Sequence, residues 1–254
     1  MLLVMPVWRE QLSATEWAYL QITDRSNREM PRAFLAPDGL DVTRYRTAFP
    51  QWEIRQFPRE HFASIRTYSL WLTSPEFYRS FSDWEFITIC QTDAVLIQSA
   101  SDLLPTMTNY DLLGAQWMPP VRALVLGSKV SVASAYNGPR DPLFARLFGR
   151  RIRVGNGGLT ARRTDALISV AERLVSRFPL VVREHINEDV LICSQGPKWG
   201  LRIAPPAVAS NFLQETEVVS AVEIPAVVGF HALERWNPGL SRRLIAKFSQ
   251  TSAS

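Results

Sequence analysis

Asp93 and His231 each follow or close an apolar run, which is where an α/β protein presents reactive side chains. Residues 86–91 are mostly apolar and β-branched, as in a strand buried on both faces, and Asp93 comes shortly after them. Ligands of open α/β sheets bind beyond the carboxyl ends of the strands, so Asp93 could hold a metal ion or a sugar hydroxyl. It could equally be a turn residue that caps the next segment. His231 ends the apolar run 227–231, where a single histidine is more often structural than a ligand.

An acid pair, Glu188 and Asp189, stands between Asn187 and the apolar residues 190–193. Asn187 is a favoured N-cap, which predicts a helix with both acids in its first turn, where the helix dipole favours negative charge. One acid could act as a general base, or both could simply complement the dipole. Successive helical residues point about 100° apart, so we expect one acid to face a cleft. We expect that acid to be Asp189, kept ionised by the dipole.

The segment Gly155-Asn156-Gly157-Gly158 is too rich in glycine for the interior of a helix or strand. Glycine permits positive φ and lets a ligand approach backbone N–H groups closely. The alternative is a plain tight turn, but the arginines nearby favour a bound ligand. Trp117, just beyond Gly114, could stack on a sugar or be a core residue.

Apolar runs and helical segments alternate through the first part of the chain. Strands are predicted at residues 2–5, 33–36, 52–57 and 86–91; Ser13 to Glu16 has the spacing of a capping box, and residues 65–81 are expected to be helical with a break near Pro75. This alternation predicts a doubly wound α/β layer. A further helix is expected from Thr164, whereas residues 121–149 are predicted to be loop with short elements, and the tail 241–254 is predicted to be surface.

Several classes of protein are disfavoured. The first strand is followed by neither a dinucleotide-binding glycine motif nor a P-loop, which argues against dehydrogenases and P-loop enzymes. The net charge of +4 comes from arginines spread along the chain, so no nucleic-acid partner is expected, and a basic cleft for a phosphorylated ligand fits better.

The organisation of the chain is also simple. No repeat or linker divides the 254 residues, so we expect a single domain, residues 1–254. The two cysteines, Cys90 and Cys193, are expected to be buried free thiols, which favours a reducing compartment. With no signal peptide and no transmembrane segment expected, the predicted location is the cytoplasm.

Taken in chain order, these motifs resemble those of an uncharacterised bacterial family assigned to the GT-A type of glycosyltransferases. The likeness runs across nearly the whole chain, and its most specific parts are the glycine segment and Glu188-Asp189-Val190. The matching residues are 4–12 with Glu16, Tyr68 with 77–78 and Phe81, Gln91-Thr92-Asp93, Tyr110-Asp111 with Gly114, Ala115 and Trp117, 155–159 with Arg162, 188–190 and 229–231.

The resemblance implies a GT-A-like three-layer α/β fold with a Rossmann-like N-terminal half and a mostly parallel mixed central sheet. Residues from about 1 to 100 would bind the nucleotide, and residues from about 101 to 254 the acceptor. The implied reaction moves a sugar from a nucleotide-diphosphate sugar, with UDP favoured, to a hydroxyl of a glycan or lipid-linked acceptor in polysaccharide biosynthesis. This function also allows peripheral contact with a membrane.

The resemblance further implies roles for individual residues. Asp93 and His231 would hold Mn²⁺ or Mg²⁺, and Asp189 or Glu188 would be the base. The leaving diphosphate would be neutralised by the metal and the glycine segment, with Arg162 or Arg163. Since the first βα turn of such a fold faces the ligand, Arg9→Ala is expected to weaken nucleotide binding. The implied substrate contacts are Pro6, Trp8, Arg9, Tyr68, Gln91, Asp111, Gly114, Ala115, Trp117, Asn156, Gly157, Gly158 and Arg162.

Three residues depart from the family pattern. Gln91 replaces the first acid of the Asp-x-Asp motif, Ser69 replaces an asparagine, and Gln116 replaces a proline. Two alternatives therefore remain open. A nucleotidyltransferase would keep Asp93, but would carry a glycine-rich basic loop that residues 5–11 lack. A non-catalytic sugar- or nucleotide-binding module is favoured by the incomplete acid motif.

Overall fold

A computed structural model describes residues 1–133 and 143–250. Its strands are β1 (Leu2–Pro6), β2 (Arg32–Pro37), β3 (Glu53–Phe57), β4 (Phe86–Cys90), β5 (Ala94–Leu96), β6 (Leu112–Gly114), β7 (Gln116–Leu126), β8 (Lys129–Ala133), β9 (Arg150–Val154), β10 (Leu159–Arg163), β11 (Leu213–Gln214) and β12 (Gly229–His231). Its α-helices are α1 (Ala14–Ser26), α2 (Thr43–Ala48), α3 (Ile65–Leu72), α4 (Pro75–Arg79), α5 (Leu104–Met107), α6 (Leu143–Phe148), α7 (Thr164–Arg177), α8 (Leu180–His185), α9 (Glu188–Gln195), α10 (Pro206–Ala209), α11 (Leu233–Trp236) and α12 (Pro238–Gln250).

The central sheet has the order β3-β2-β1-β4-β10-β6. Strands β1 to β4 are mutually parallel, and β10 runs antiparallel to both β4 and β6. Leu2 and Val4 pack with α3, α4, α7 and α9, whereas Leu3 and Met5 pack with α1 and α2 on the opposite face. The predicted three-layer α/β fold with a mostly parallel mixed sheet is therefore confirmed.

Capping residues begin the early helices at the positions that the sequence predicts. Ser13 and Glu16 form a reciprocal capping box at the start of α1. The helical stretch 65–81 divides into α3 and α4, because Ser74 caps a new helix with Pro75 in its first turn.

Two smaller sheets complete the described strands: β11-β12-β5 and the antiparallel β8-β7-β9. The second corrects the expectation of a loop at residues 121–149, of which 134–142 lie outside the described residues. Val121 and Ala123 of β7 are buried. The alternate positions are Arg122, which is charged, and Leu124, which is apolar, so the alternation of apolar and polar residues that would predict a strand is weak.

The C-terminal segment is also more buried than expected. Helix α12 buries Leu240 and Leu244, and the Tyr19 hydroxyl of α1 donates to Ser241 Oγ at 2.7 Å. The prediction of a surface tail is thus wrong for this face of α12, and residues 251–254 lie outside the described part. Among the described helices, none is both long and apolar enough to cross a membrane.

Candidate active site

A cleft of about 910 Å³ opens where β1 and β4 end, and most of the predicted chemistry lines it. Trp8 follows β1, the Gln91–Asp93 turn follows β4, and the start of α9 forms the opposite side. This is the edge at which an open α/β sheet binds ligands. The predicted site residues that line the cleft are Trp8, Tyr68, Gln91, Asp93, Trp117, Asn156, Gly157, Gly158, Glu188, Asp189 and His231.

The small β11-β12-β5 sheet brings Asp93 and His231 together. His231 pairs with Ala94 in the antiparallel β5–β12 register, and the Ala232 N–H donates to the Asp93 carbonyl at 3.0 Å. As a result His231 Nε2 lies 3.5 Å from Asp93 Oδ1. On its other side, His231 Nδ1 lies 3.2 Å from Glu215 Oε1. The two residues thus meet at the cleft despite their separation in sequence.

The electrostatics of this group are strongly coupled. Burial acts to lower the pKa of His231, but the Asp93 and Glu215 carboxylates outweigh it and raise the pKa to about 10. Burial acts to raise the pKa of Asp93, yet the contacts with His231 bring it below its usual value. Each ring nitrogen of His231 thus faces a carboxylate at ion-pair distance, although neither contact has the alignment of a good hydrogen bond.

These residues fit a divalent cation as a two-ligand site. Nowhere in residues 1–133 and 143–250 do three or more candidate metal-binding side chains cluster, so the protein would supply Asp93 and His231 alone. A hard cation can complete its shell with phosphate oxygens and water. Glu215 stands behind the imidazole, as the carboxylate that orients a metal-binding histidine does.

Glu188 is held from inside the protein. Its Oε1 accepts from Arg162 Nη2 at 3.1 Å, and its Oε2 accepts from Ser69 Oγ at 3.2 Å. Arg162 is completely buried and also donates to the Tyr78 hydroxyl at 2.7 Å. Arg162 does not line the cleft, which corrects its expected contact with the diphosphate; it fixes Glu188 instead.

Asp189, the next residue, turns to the cleft floor. Its carboxylate accepts from the N–H groups of Gly157 at 3.1 Å and Val190 at 2.7 Å. Burial and the neighbouring Glu188 raise the pKa of Asp189 to about 7, against these hydrogen bonds. We expected the helix start to keep Asp189 ionised, but burial and Glu188 outweigh that effect up to about neutral pH. Asn187 is the N-cap residue, as predicted, but its side chain makes no capping bond.

The glycine segment is shaped by the protein rather than by a ligand. A Cβ on Gly157 would lie 2.2 Å from Glu188 Oε1, and one on Gly158 2.1 Å from His231 Nε2. Gly155, with φ of 125°, would place a Cβ 2.1 Å from Cys193 Sγ. Only glycine allows these approaches.

The backbone donors of the same segment are already in use. The N–H groups of Gly155 and Asn156 donate to the Ala115 carbonyl, Gly157 to Asp189, and Gly158 to the Asn156 side chain. The expectation that this backbone neutralises the diphosphate is therefore corrected. Asn156 Nδ2 also donates to Glu215 Oε2 at 2.8 Å, which ties the segment to the His231 group.

The other expected substrate contacts lie away from the cleft, which is a further correction. Asp111 is buried and binds Arg202 and Arg163. Gly114 and Ala115 are buried in and after β6, and Pro6 is buried in β1. Arg9 pairs with Glu16 at the surface and lies over the Trp8 ring at 5.2 Å.

Sequence reasoning missed three residues that build this site: Glu215, Ser69 and Tyr78. Ser69 stood out only as a departure from the family pattern, although it donates to Glu188. Glu215 gave no signal, because it is one acid among polar neighbours and meets His231 only through β11 and β12.

A comparison of the sequence with models of known families identifies the family of this chain. The model of the family described as "Protein of unknown function (DUF5672)" matches residues 51–231, well over half of the chain. The chain belongs to the DUF5672 family. No curated protein sequence matches it significantly.

Solved structures resemble the DUF5672 chain in fold at low sequence identity. An active-site mutant of LgtC matches with a TM-score of 0.56 at 12% identity, covering 99% of this chain and 96% of that one. Mouse xyloside xylosyltransferase 1 matches with a TM-score of 0.50 at 9% identity, covering 90% and 96%. A synthetase for CMP:2-keto-3-deoxy-manno-octonic acid, complexed with CTP, also gives 0.50 at 12% identity, with 98% of each chain covered. The DUF5672 chain thus has a GT-A glycosyltransferase-like fold, which it shares with nucleotidyltransferase-like proteins.

Proposed function

We propose that this protein transfers a sugar from a nucleotide-diphosphate sugar to a hydroxyl of a glycan or lipid-linked acceptor. One observation carries the proposal: the acid pair and the Asp93–His231 pair flank the same dipeptide. Gly157 abuts Glu188 while Gly158 abuts His231, and consecutive Cα atoms are only ~3.8 Å apart. A base and a phosphate-binding pair are therefore close enough to act on one donor molecule.

The donor would lie along the side formed by the ends of β1 and β4. Its diphosphate would face Asp93 and His231, and Trp8, which is 41% exposed, offers a ring for the nucleotide base. Tyr68 lines the cleft and its hydroxyl lies near the Gln91 side chain, so these two residues offer polar groups to a sugar hydroxyl. In this arrangement residues from about 1 to 100 serve mainly the donor, with UDP favoured, and the later residues mainly the acceptor.

Asp189 would act as the general base. The acceptor oxygen forms a bond to the anomeric carbon, the bond from that carbon to the diphosphate breaks, and the hydroxyl proton passes to Asp189. A pKa of about 7 suits this task near neutral pH, where such a base contributes ~10²–10⁴-fold. A bound divalent cation would supply positive charge against the leaving diphosphate.

The apolar rim of the cleft supports a lipid-linked acceptor. Phe62, Ile65, Val121, Val132 and Ile186 line the cleft, and Ile65 is 78% exposed. An exposed apolar rim is suited to a ligand with an apolar part. We place the reaction in the cytoplasm, a reducing compartment that suits the two buried free thiols, and its product would be a polysaccharide or its lipid-linked precursor.

A nucleotidyltransferase is the second candidate, because the CTP-bound synthetase shares the fold. Against it, residues 7–13 after β1 contain no glycine and only one basic residue, Arg9. A basic glycine-rich loop would be needed there to hold a nucleoside triphosphate.

The test is a thermal-shift panel of UDP-, GDP-, CMP- and dTDP-sugars with and without Mn²⁺, followed by turnover with oligosaccharide and polyprenyl acceptors. A specific donor should raise the melting temperature by mass action and then be consumed. A donor that binds but is never hydrolysed or transferred would instead indicate a binding module. Consumption of CTP and a free sugar with release of pyrophosphate would indicate the nucleotidyltransferase.

A further inference from the structure

Helix α6 has the opposite burial pattern from a helix in a protein core. Its small residue, Ala145, is buried, while its large apolar residues face solvent. These four residues, here called the α6 patch, are Leu143 at 65% exposed, Phe144 at 68%, Leu147 at 61% and Phe148 at 67%.

The α6 patch forms one continuous stripe. Residues three and four positions apart share a helix face, which links Leu143 with Leu147 and Phe144 with both Leu147 and Phe148. The Phe144 and Phe148 rings lie 5.9 Å apart between centroids. Contiguous exposed apolar surface of this kind marks an interaction site.

A row of arginines borders the α6 patch. Strand β9 begins directly after Gly149, the turn that ends α6, and Arg122 of β7 stands directly opposite Arg151 of β9. Like charges directly opposite each other destabilise a sheet, so an anionic partner would stabilise this pair. Since side chains alternate along a strand, Arg151 and Arg153 share a face with Arg122, whereas Arg150 lies on the other face with Ile152. No carboxylate of the described residues lies within ion-pair distance of the five basic side chains here: Arg122, Arg146, Arg150, Arg151 and Arg153.

We propose that the α6 patch and the β9 arginines dock this protein on an anionic membrane surface. The four apolar side chains would enter the boundary between headgroups and acyl chains, and the arginines would contact lipid phosphates. A second copy of the chain is a poorer occupant, because a two-fold contact through the patch would bring Arg146 and Arg151 towards their own copies. An acidic, apolar-cored surface matches both features, and an anionic bilayer is such a surface.

The position of the α6 patch suits a cleft that works on membrane-linked substrates, although docking does not depend on the reaction. The β7–β8 hairpin lines the cleft through Val121 and Val132 on one face. On its other face, Arg122 contacts the turn at Gly149 that ends α6. Docking through α6 would therefore hold one wall of the cleft close to the bilayer.

The test is cosedimentation of the full chain with vesicles of phosphatidylcholine mixed with phosphatidylglycerol, and with vesicles of phosphatidylcholine alone. The wild type should bind the anionic vesicles, and less strongly at high salt. The double variant Phe144→Ser with Phe148→Ser should lower the partition coefficient by about tenfold for each ring. Arg151→Gln with Arg153→Gln, two residues on the same face of β9, should lower it by about fivefold for each charge on anionic vesicles and leave neutral vesicles unaffected.

Val222→Ser is the matched control, since Val222 is 79% exposed and lies outside the α6 patch. It should bind vesicles as the wild type does, and all variants should keep any thermal shift with nucleotide sugars. Failure of the wild type to bind anionic vesicles, or unchanged binding by the phenylalanine variant, would overturn the proposal. So would a concentration-dependent dimer, seen by analytical ultracentrifugation, that the phenylalanine substitutions make monomeric.

Discussion

The two sides of the cleft differ in how far their charged side chains are buried and paired within the protein. On the α9 side, which we call the closed side, Glu188 has a protein partner for each oxygen, and its counter-ion Arg162 has no exposed surface. On the β5–β12 side, the open side, the Asp93 side chain is 53% exposed and meets His231 only at 3.5 Å.

This difference separates residues that position from residues that bind. A buried charge persists only where its hydrogen-bonding groups are satisfied, whereas an exposed one can be satisfied by solvent or by a ligand. On the closed side the protein itself completes the network, and the result is a fixed Glu188 beside Asp189. On the open side the Asp93 carboxylate stays accessible from the cleft, where a ligand can bind it. Asp189 lies between the two, held by backbone donors yet facing the cleft.

The largest expected effect concerns Asp189. Asp189→Asn keeps the size of the side chain but removes the base, so transfer should fall by ~10²–10⁴-fold. Donor affinity should stay within about twofold, because a base acts on the acceptor. Both are measured by steady-state turnover and by thermal shift with the donor.

Glu188→Gln serves as the comparison for that variant. It removes the charge facing Arg162 while the cleft keeps Asp189. If Glu188→Gln loses turnover and Asp189→Asn does not, the roles of the two acids are reversed. If neither loses it, the pair only caps α9.

The second effect is on stability and tests the closed side. Arg162→Met leaves Glu188 buried without a counter-charge, and breaking such a pair costs ~3–5 kcal/mol of unfolding free energy. Urea denaturation would measure it. The control is Arg79→Met, because Arg79 pairs with Glu172 at the surface with both side chains 51% exposed. An exposed pair contributes ~0–1 kcal/mol, so equal losses in the two variants would contradict the closed network.

The contrast between the sides also explains what the sequence could predict. Apolar runs and the Ser13–Glu16 box are local signals, and they predicted β1 to β4 and the start of α1. Asp93 and His231 could be paired because both adjoin apolar runs and because of the family resemblance. On the closed side the sequence predicted the start of α9 and its acid pair, but the buried ion pair of Glu188 carries no local signal. Arg162 stands beside Arg163, and only the fold brings it to Glu188 and to Tyr78, which lies 84 residues away in the sequence.

The third prediction tests the open side. Asp93→Asn should remove the Mn²⁺-dependent part of the thermal stabilisation by a donor or by UDP, because it removes one of two ligands. At a ligand concentration of 100 times Kd the stabilisation at stake is ~2.7 kcal/mol. Asp189→Asn is the matched control and should keep the Mn²⁺ effect. Retention of that effect in Asp93→Asn would show that Mn²⁺, if it binds, does so elsewhere.

The fourth prediction concerns pH. Burial and Glu188 raise the pKa of Asp189 to about 7, so turnover should fall about tenfold for each pH unit below 7 as the base is protonated. The same shift affects stability. In the unfolded chain Asp189 releases its proton near pH 3.8, whereas in the folded protein it keeps the proton up to about pH 7. Its contribution to the free energy of unfolding is therefore complete below pH 3.8 and is lost as the pH rises to about 7. Asp189→Asn should therefore gain stability relative to the wild type between pH 4 and pH 7, which urea midpoints across that range would measure.

The smallest expected effect distinguishes two neighbours at the rim of the open side. Trp8 lines the cleft, whereas Arg9 does not and is engaged with Glu16. Base–aromatic stacking contributes ~1–3 kcal/mol, so Trp8→Ala should weaken nucleotide binding by about tenfold or more in calorimetry. Arg9→Ala removes an exposed ion pair and the support of its guanidinium over the Trp8 ring, so its effect should be less than about fivefold. If Arg9→Ala costs more than Trp8→Ala, the loop after β1 binds the nucleotide through its charge, and Arg9 must turn from Glu16 towards the ligand when the donor arrives.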